Sequence, residues 1–464
     1  MPLLVATVAA LVPAASWTAL GPRYGGELTV GSPALPATLD PKATAFPGAV
    51  VLAQVHEPLV EVGADGFPRP ALAEGWSAAA GGREWRLRLR DGLRFHDGAP
   101  VTADDAVRAL RRFARGGTTA GTALAAALEG GREFAKDATD DLPGLIVGGP
   151  SHVVLRLVAP RALPLAPLAS LAASPTSATG AGAGPFVPAA PVPGRRIALT
   201  AFNGHHAGRP YLDGVTVVAA EPGPATGADA GPRDVDLAPG PGGASALAGT
   251  LILVLDPSKG RFLAGADVRR TIADAIDRSE LVRRLVPGGD PAPALVVPAL
   301  LPPLAVPPPA PTPAPALSGA VRLAVDRSVA PTVSQRVVAH LTALGIEVSA
   351  VPLPGPEARA ARTEARLLLL VPEVPEAALA LREVLALAPV PLPEAVAALD
   401  AADAEPDLDR RRRHLHRAEH ALREGALLVA LASVPVSFTV RAGVHGARVD
   451  PGGRLVLEDA WREP

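Results

Sequence analysis

The chain of 464 residues contains no cysteine. That excludes disulfides, thiolate metal sites, a cysteine nucleophile and a lipid anchor attached through cysteine. Aromatic residues are almost as scarce, with nine Phe, four Trp and two Tyr, so recognition built on ring stacking is disfavoured. The formal net charge is only -2 and no basic stripe interleaved with aromatics occurs, which argues against nucleic acid as a partner. Enzyme motifs are missing too. The run Gly180-Ala181-Gly182-Ala183-Gly184-Pro185 fails the Gly-x-Gly-x-x-Gly spacing and reads as a flexible segment. Ser245 lacks the flanking glycine of a nucleophile elbow, and there is no phosphate-binding loop.

No apolar run is long enough to span a bilayer near the start of the chain. Leu3 to Ala15 is too short for that but suits the core of a secretion signal, with small residues at Ala14, Ala15 and Ser16. No Lys or Arg precedes Arg23, so the usual basic flank is absent. Met1–Leu20 is therefore read as a secretion signal whose start lies upstream, against the alternative of a buried first helix. Glycine and proline together make about a fifth of the chain, just short of the level that marks low complexity.

What is present begins with local periodicity. From Glu84 to Arg90, Trp85, Leu87 and Leu89 alternate with Arg86, Arg88 and Arg90, which predicts a strand with one buried and one solvated face. Asp91-Gly92 marks the turn after it. Thr102, with Asp105 three residues on, forms an acidic variant of the capping box, and Val107, Leu110 and Phe113 follow at helical spacing. Asp104 and Asp105 are thus first-turn carboxylates facing the helix dipole rather than a catalytic pair.

The order of phrases over Gly25–Arg115 is more specific than any one of them. Gly25-Gly26-Glu27-Leu28-Thr29-Val30-Gly31 is followed by Thr38-Leu39-Asp40-Pro41, His56-Glu57-Pro58-Leu59-Val60 and Pro70-Ala71-Leu72-Ala73-Glu74-Gly75-Trp76. Trp85 to Gly98 and Val101-Thr102-Ala103-Asp104-Asp105-Ala106-Val107 complete the series. Together they resemble the N-terminal signature of the extracellular solute-binding proteins of peptide, oligopeptide and nickel ABC importers, family 5. The resemblance continues through Gly184-Pro185-Phe186, Phe202-Asn203, Pro210-Tyr211-Leu212-Asp213 and Asp234-Val235-Asp236-Leu237. It extends to an apolar strand Leu251–Leu255, a helix from Asp267 through Val282, and the closing run Val444–Asp450. Val321–Val325, the helix face Val333, Val337, Leu341 and Leu344 closed by Gly345, and Ile346-Glu347-Val348 read as a β-α-β unit with parallel-sheet character. A charged helix over 407–424 and a strand over 436–440 follow.

The resemblance implies an α/β, periplasmic-binding-protein-like two-lobed fold, class II and of the large three-domain variety, with mixed sheets and a hinge cleft. Residues 21–44, 165–250 and 436–464 would form a discontinuous lobe I, 45–164 its subdomain, and 251–435 lobe II. Two segments depart from the pattern. Pro287 to Leu317 holds twelve prolines in thirty-one residues, which predicts a polyproline-like or disordered connector. Leu367–Leu385 lacks the Trp and Asp-Pro-rich loop that commonly supplies ligand contacts in relatives.

By position in the family, the cleft-lining candidates are Phe46, His56, Phe186, Asn203, His205 and His206, with core packing the competing role for Phe46 and Phe186. His205 and His206 stand where relatives more often carry an aromatic pair. A metal site there is conceivable, but no carboxylate pair or third histidine lies nearby in sequence, so an exposed loop is expected. His416 and His420 are four apart on a helix crowded with arginines, and a solvated face is expected for them. The functional expectation is a secreted or periplasmic, monomeric component of an ABC importer. It would capture a peptide or similar small solute by lobe closure and deliver it to a membrane permease, needing no catalysis and no cofactor. A degenerate sensor, chaperone or interaction module is the second reading, and capture of nickel or a metal complex the third.

Overall fold

The computed structural model describes residues 21–32, 35–42, 48–161, 163–189, 195–219, 233–236, 244–304 and 317–463. The expected secretion signal and Phe46 lie outside the described residues. Among those described, no helix is long and apolar enough to cross a membrane.

The long strands gather into one mixed sheet. They are β1 (Glu27–Ser32), β2 (Phe186–Pro188), β3 (Arg196–Ala201), β4 (Gly214–Ala219), β5 (Val235–Asp236), β6 (Ala244–Leu255), β7 (Gly319–Asp326), β8 (Ile346–Leu353), β9 (Ala365–Leu370) and β10 (Leu428–Val440). Their order across the sheet is β8-β7-β9-β6-β10-β5-β1-β4-β3-β2, and the short strand Asp290–Pro291 pairs beside β10. β1 runs parallel to β4 and β5, and β7 runs parallel to β8 and β9. The pairs β6·β9, β6·β10 and β5·β10 are antiparallel.

Strand β6 shows why its sequence carries an unbroken apolar run. Ile252 and Val254 belong to the core on one face of the sheet, while Leu251, Leu253 and Leu255 belong to the core on the other. With both faces covered, alternation of polar and apolar residues disappears. β6 and β10 lie side by side through both lobes, so each expected boundary, 250/251 and 435/436, falls inside a continuous strand. The strand expected over 436–440 accordingly begins at Leu428. Register shifts mark the ladder between Leu247 and Gly249 and between Leu251 and Ile252. Such bulges bend a strand and increase its local twist.

The β-α-β unit forms as expected, with a helix Pro331–Ala343 between β7 and β8. Gly345 closes it at φ +86°, where an added Cβ would lie 2.4 Å from the Leu317 carbonyl oxygen. Two expectations are corrected. The helix expected from Asp267 through Val282 is two helices, Ala266–Ala275 and Arg278–Leu285. Ile276 is extended, and the Asp277 carboxylate accepts a hydrogen bond from the Glu280 amide at 2.8 Å, so a local cap competes with helix continuation. The proline-rich segment is also not connector throughout. Ala292, Leu295, Val296 and Leu301 are buried in one of the lobe II cores, and the Leu295 amide donates to Glu419 at 2.8 Å. An extended path suits alternating proline because it needs no ladder donor. Residues 305–316 lie outside the described residues.

A second, four-stranded antiparallel sheet (Ala73–Ala79, Glu84–Leu89, His152–Arg156, Leu145–Gly149) carries the subdomain. Leu87 and Leu89 point into a core shared with Val107, Leu110 and Phe113 of a helix over Ala103–Arg115, while Arg86 and Arg88 face solvent. The capping box at this helix is complete: Thr102 Oγ1 accepts from the Asp105 amide at 3.3 Å and Asp105 accepts from the Thr102 amide at 2.9 Å. The two lobes touch. Val374 and Leu379 of lobe II are buried in the same core as Leu110, Leu124 and Leu168, and Arg161 reaches Asp403 at 2.9 Å across the junction.

Thr102→Ala removes one cap bond and leaves the Asp105 amide unpaired. A loss of about 1 kcal/mol in chemical unfolding is expected, and an unchanged midpoint would show that the box does not hold this helix.

Candidate functional site

The site grows from α1 (Ala49–Val55). It ends where the chain must stop being helical, because Pro58 follows Glu57 and disfavours helical backbone at the residue before it. His56 is already extended, with its amide bonded to the Leu52 carbonyl at 2.8 Å. Gln54 ties α1 to the C-terminal segment by donating to the Leu455 carbonyl at 2.7 Å. The glycine run expected to be a flexible segment is packed against this end. The Gly184 amide donates to the Val55 carbonyl at 3.0 Å, and a Cβ on Gly182 would lie 2.1 Å from that same oxygen. Only glycine allows backbones to approach so closely. A pocket results, lined by Gln54, His56, Glu57, Leu171, Arg454 and Glu458 among others.

His56 is buried and donates from Nε2 to the Leu39 carbonyl at 2.7 Å. Burial pushes its pKa down to about 4, so it is neutral at physiological pH. Its Nδ1 has no hydrogen-bond partner among the described residues, leaving an acceptor on a pocket-lining side chain. His205 and His206 are brought to the same place. His205 Nε2 lies 3.0 Å from Glu57 Oε2, and His206 Nε2 lies 2.6 Å from Glu57 Oε1. This corrects the exposed-loop expectation: His205 is 7% exposed, and the carboxylate missing from the nearby sequence is supplied from 148 residues away. Burial alone would raise the Glu57 pKa, but the bonds from the two histidines outweigh it and hold the carboxyl below its ordinary value.

The other candidates are not brought there. Phe186 is fully buried in the lobe I core, and Asn203 is exposed, accepting from Arg209 at 3.0 Å. His416 is half-buried and His420 exposed, in keeping with the expected solvated face.

A second group of carboxyls lies behind the pocket lining, next to Leu171. Ser170, beside pocket-lining Leu171, donates its hydroxyl to Glu373, and the Glu373 amide donates to Glu383 at 2.9 Å. Glu383 stands on a helix over Ala377–Ala386. Burial raises its pKa to about 8, and burial also raises that of Glu373 against the opposing Ser170 bond. Arg454, held by Asp450 at 2.6 Å, is the cation near this group. Arg454 thus faces Asp450, Glu61 and Glu373, while the cation acting on Glu383 is Arg359 and that acting on Glu458 is Arg448. Sequence reasoning missed Glu373, Glu383, Arg454 and Glu458, and passed over Glu57 within a quoted motif. Only the adjacency of Glu57 to His56 could have flagged it.

A histidine held neutral costs stability as pH falls, because the unfolded state takes up a proton that the folded state refuses. With the folded value about 4 and the unfolded value 6.5, the loss develops as pH drops from 6.5 toward 4 and amounts to roughly 3 kcal/mol. His56→Gln keeps a donor for Leu39 and removes the titration. Its melting temperature is expected to fall less steeply over that pH window than that of the unaltered chain, and parallel curves would contradict a buried neutral His56.

Comparison with known proteins places this geometry in context. The chain is 38% identical over 78 residues to the probable deoxycholate-binding periplasmic protein YgiS of Escherichia coli K12, a match covering 17% of this chain and 15% of that protein. Its fold is similar to that of the E. coli murein tripeptide binding protein MppA, with a TM-score of 0.78 at 18% identity, covering 94% of this chain and 98% of that one. It is equally similar to the Helicobacter pylori periplasmic binding protein DppA in complex with the peptide STSA, with a TM-score of 0.79 at 16% identity over 95% and 99% of the two chains. The two-lobed, mixed-sheet expectation is thereby borne out. The model of the bacterial extracellular solute-binding proteins, family 5 Middle, matches residues 68–326, more than half the chain, and the chain belongs to that family.

Proposed function

We propose that this chain captures a small solute carrying a cationic group, such as a peptide ammonium, between its lobes and delivers it to the membrane permease of an ABC importer. The observation that carries this reading is the excess of buried carboxylate in the seam. Glu373 accepts from Ser170 and feels Arg454, its amide donates to Glu383, and burial keeps a proton on Glu383 at neutral pH. A carboxyl in that state is poised to accept a cation, because an arriving ammonium replaces the proton and supplies the missing charge. The scarcity of aromatics fits recognition by charge and backbone groups. Family membership and the likeness of fold to peptide-binding proteins support the same reading. So do the secretion signal expected over Met1–Leu20 and the absence of enzyme motifs.

The lobes would close over the solute by bending the paired strands β6 and β10, and the permease would recognise the closed form. Asn203 would stand at the margin of such a cleft. A second reading is favoured by one observation: Val374 and Leu379 fill the junction from the segment that lacks the expected loop. On that reading the chain is an interaction module with no transported solute.

Calorimetry with a small cationic peptide, in buffers of different ionisation heat, separates the two. Binding should release close to one proton per chain at pH 7, tighten from pH 6 to 8, and weaken at least tenfold in Glu383→Gln, about 1.4 kcal/mol. Binding without proton release and indifferent to Glu383 would move the solute site elsewhere. No binding of any small peptide would favour the interaction module.

A further inference from the structure

The cluster of Glu57, His205 and His206 has a chemistry of its own. Both imidazoles stand on one turn, where the His205 amide bonds to the Phe202 carbonyl at 3.3 Å and the Gly208 amide to the His205 carbonyl at 3.0 Å. Adjacent side chains on an irregular loop would ordinarily splay apart. Here the rings lie 4.6 Å apart, tilted by 45°, and present the same nitrogen, Nε2, to the two oxygens of one carboxylate. The candidate ligand atoms of all three residues lie within 4.8 Å of one another.

We propose that Glu57, His205 and His206 form a binding site for one divalent transition-metal ion of the zinc class, beside the pocket that Glu57 helps to line. Two imidazole nitrogens and one carboxylate oxygen are a donor set that suits zinc, with bonds of about 2.0–2.2 Å and a fourth position left for water or a further ligand. Ligands at a tetrahedral ion of that size stand roughly 3.3 Å apart. The present N···O distances of 3.0 and 2.6 Å therefore need to open by less than about 1 Å. Glu458 lines the same pocket as Glu57. Glu57 sits at the end of α1, fixed by Pro58, while the histidines sit between β3 and β4, so the ion would staple α1 to the main sheet. The site lies apart from the Glu373–Glu383 pair and does not depend on the solute reading.

The test uses the untagged full chain, stripped with chelator and dialysed against Zn2+, with bound metal counted by mass spectrometry and Co2+ substituted as an optical probe. One equivalent per chain and visible Co2+ absorption are expected. Glu57→Gln and His206→Asn should each weaken binding at least about tenfold, with the metal-free melting temperature showing whether each variant still folds. Zn2+ should also raise the melting temperature of the unaltered chain but not of folded Glu57→Gln. The proposal is overturned if the stripped, folded chain takes up no stoichiometric Zn2+ or Co2+. Uptake that persists undiminished in both variants overturns it equally, since the ion would then lie on other histidines.

Discussion

The architecture depends on the ladder between β6 and β10. Both lobes hang on these two strands, which pass uninterrupted from the parallel β7–β9 region to the β1–β5 region. Their shared hydrogen bonds allow the lobes to be separate masses without being separately tethered bodies, and the bulges at Leu247/Gly249 and Leu251/Ile252 set where the ladder deviates from regular twist. Everything in the seam, Glu57 and Glu383 included, is positioned relative to this pair.

The seam is assembled against the ordinary preferences of charged groups. Burying a carboxyl without a partner is expensive, and proteins avoid it or neutralise it. Elsewhere in the chain the rule is obeyed: buried Glu376 accepts from the Ala378 and Leu379 amides and pairs with Arg411 at 2.6 Å. Among the described residues Glu383 forms no such ion pair, Arg359 acting on it only weakly, and its proton does that work instead. Two carboxyls on one short stretch of chain are satisfied differently, one by charge and one by protonation, and on the proposed reading the second is the one a solute cation would meet.

Much of the fold was legible in the sequence because the signals were local. The Thr102–Asp105 box, the alternation of Leu87 and Leu89 with Arg86 and Arg88, and the Gly345 stop each act within a few residues, and each appears as read. Misreadings arose where a local competitor or a distant surface decided the outcome. Asp277 capped a new helix inside an otherwise periodic stretch, and proline-rich 287–304 found apolar surface to pack on. The site was the least legible part. His205 and His206 could be singled out, but Glu57 reaches them only after the chain returns from the subdomain, and Glu373 joins Ser170 across 203 positions. No spacing rule reaches that far; the phrases of the family located the neighbourhood and left its chemistry to the tertiary structure.

The bare backbone contact at Gly182 and Gly184 has a mechanical consequence. With no side chain between the glycine run and the Val55 carbonyl, there is no rotamer to absorb a displacement, so the end of α1 and the glycine run are fixed to each other by backbone alone. If solute capture is the function, adaptation to differently shaped cargo would have to come from the side of Glu373 and Glu383, which sit on a short segment and a helix rather than a long loop. Such a chamber would work as a vice with one fixed jaw, its selectivity tuned by altering the other jaw alone.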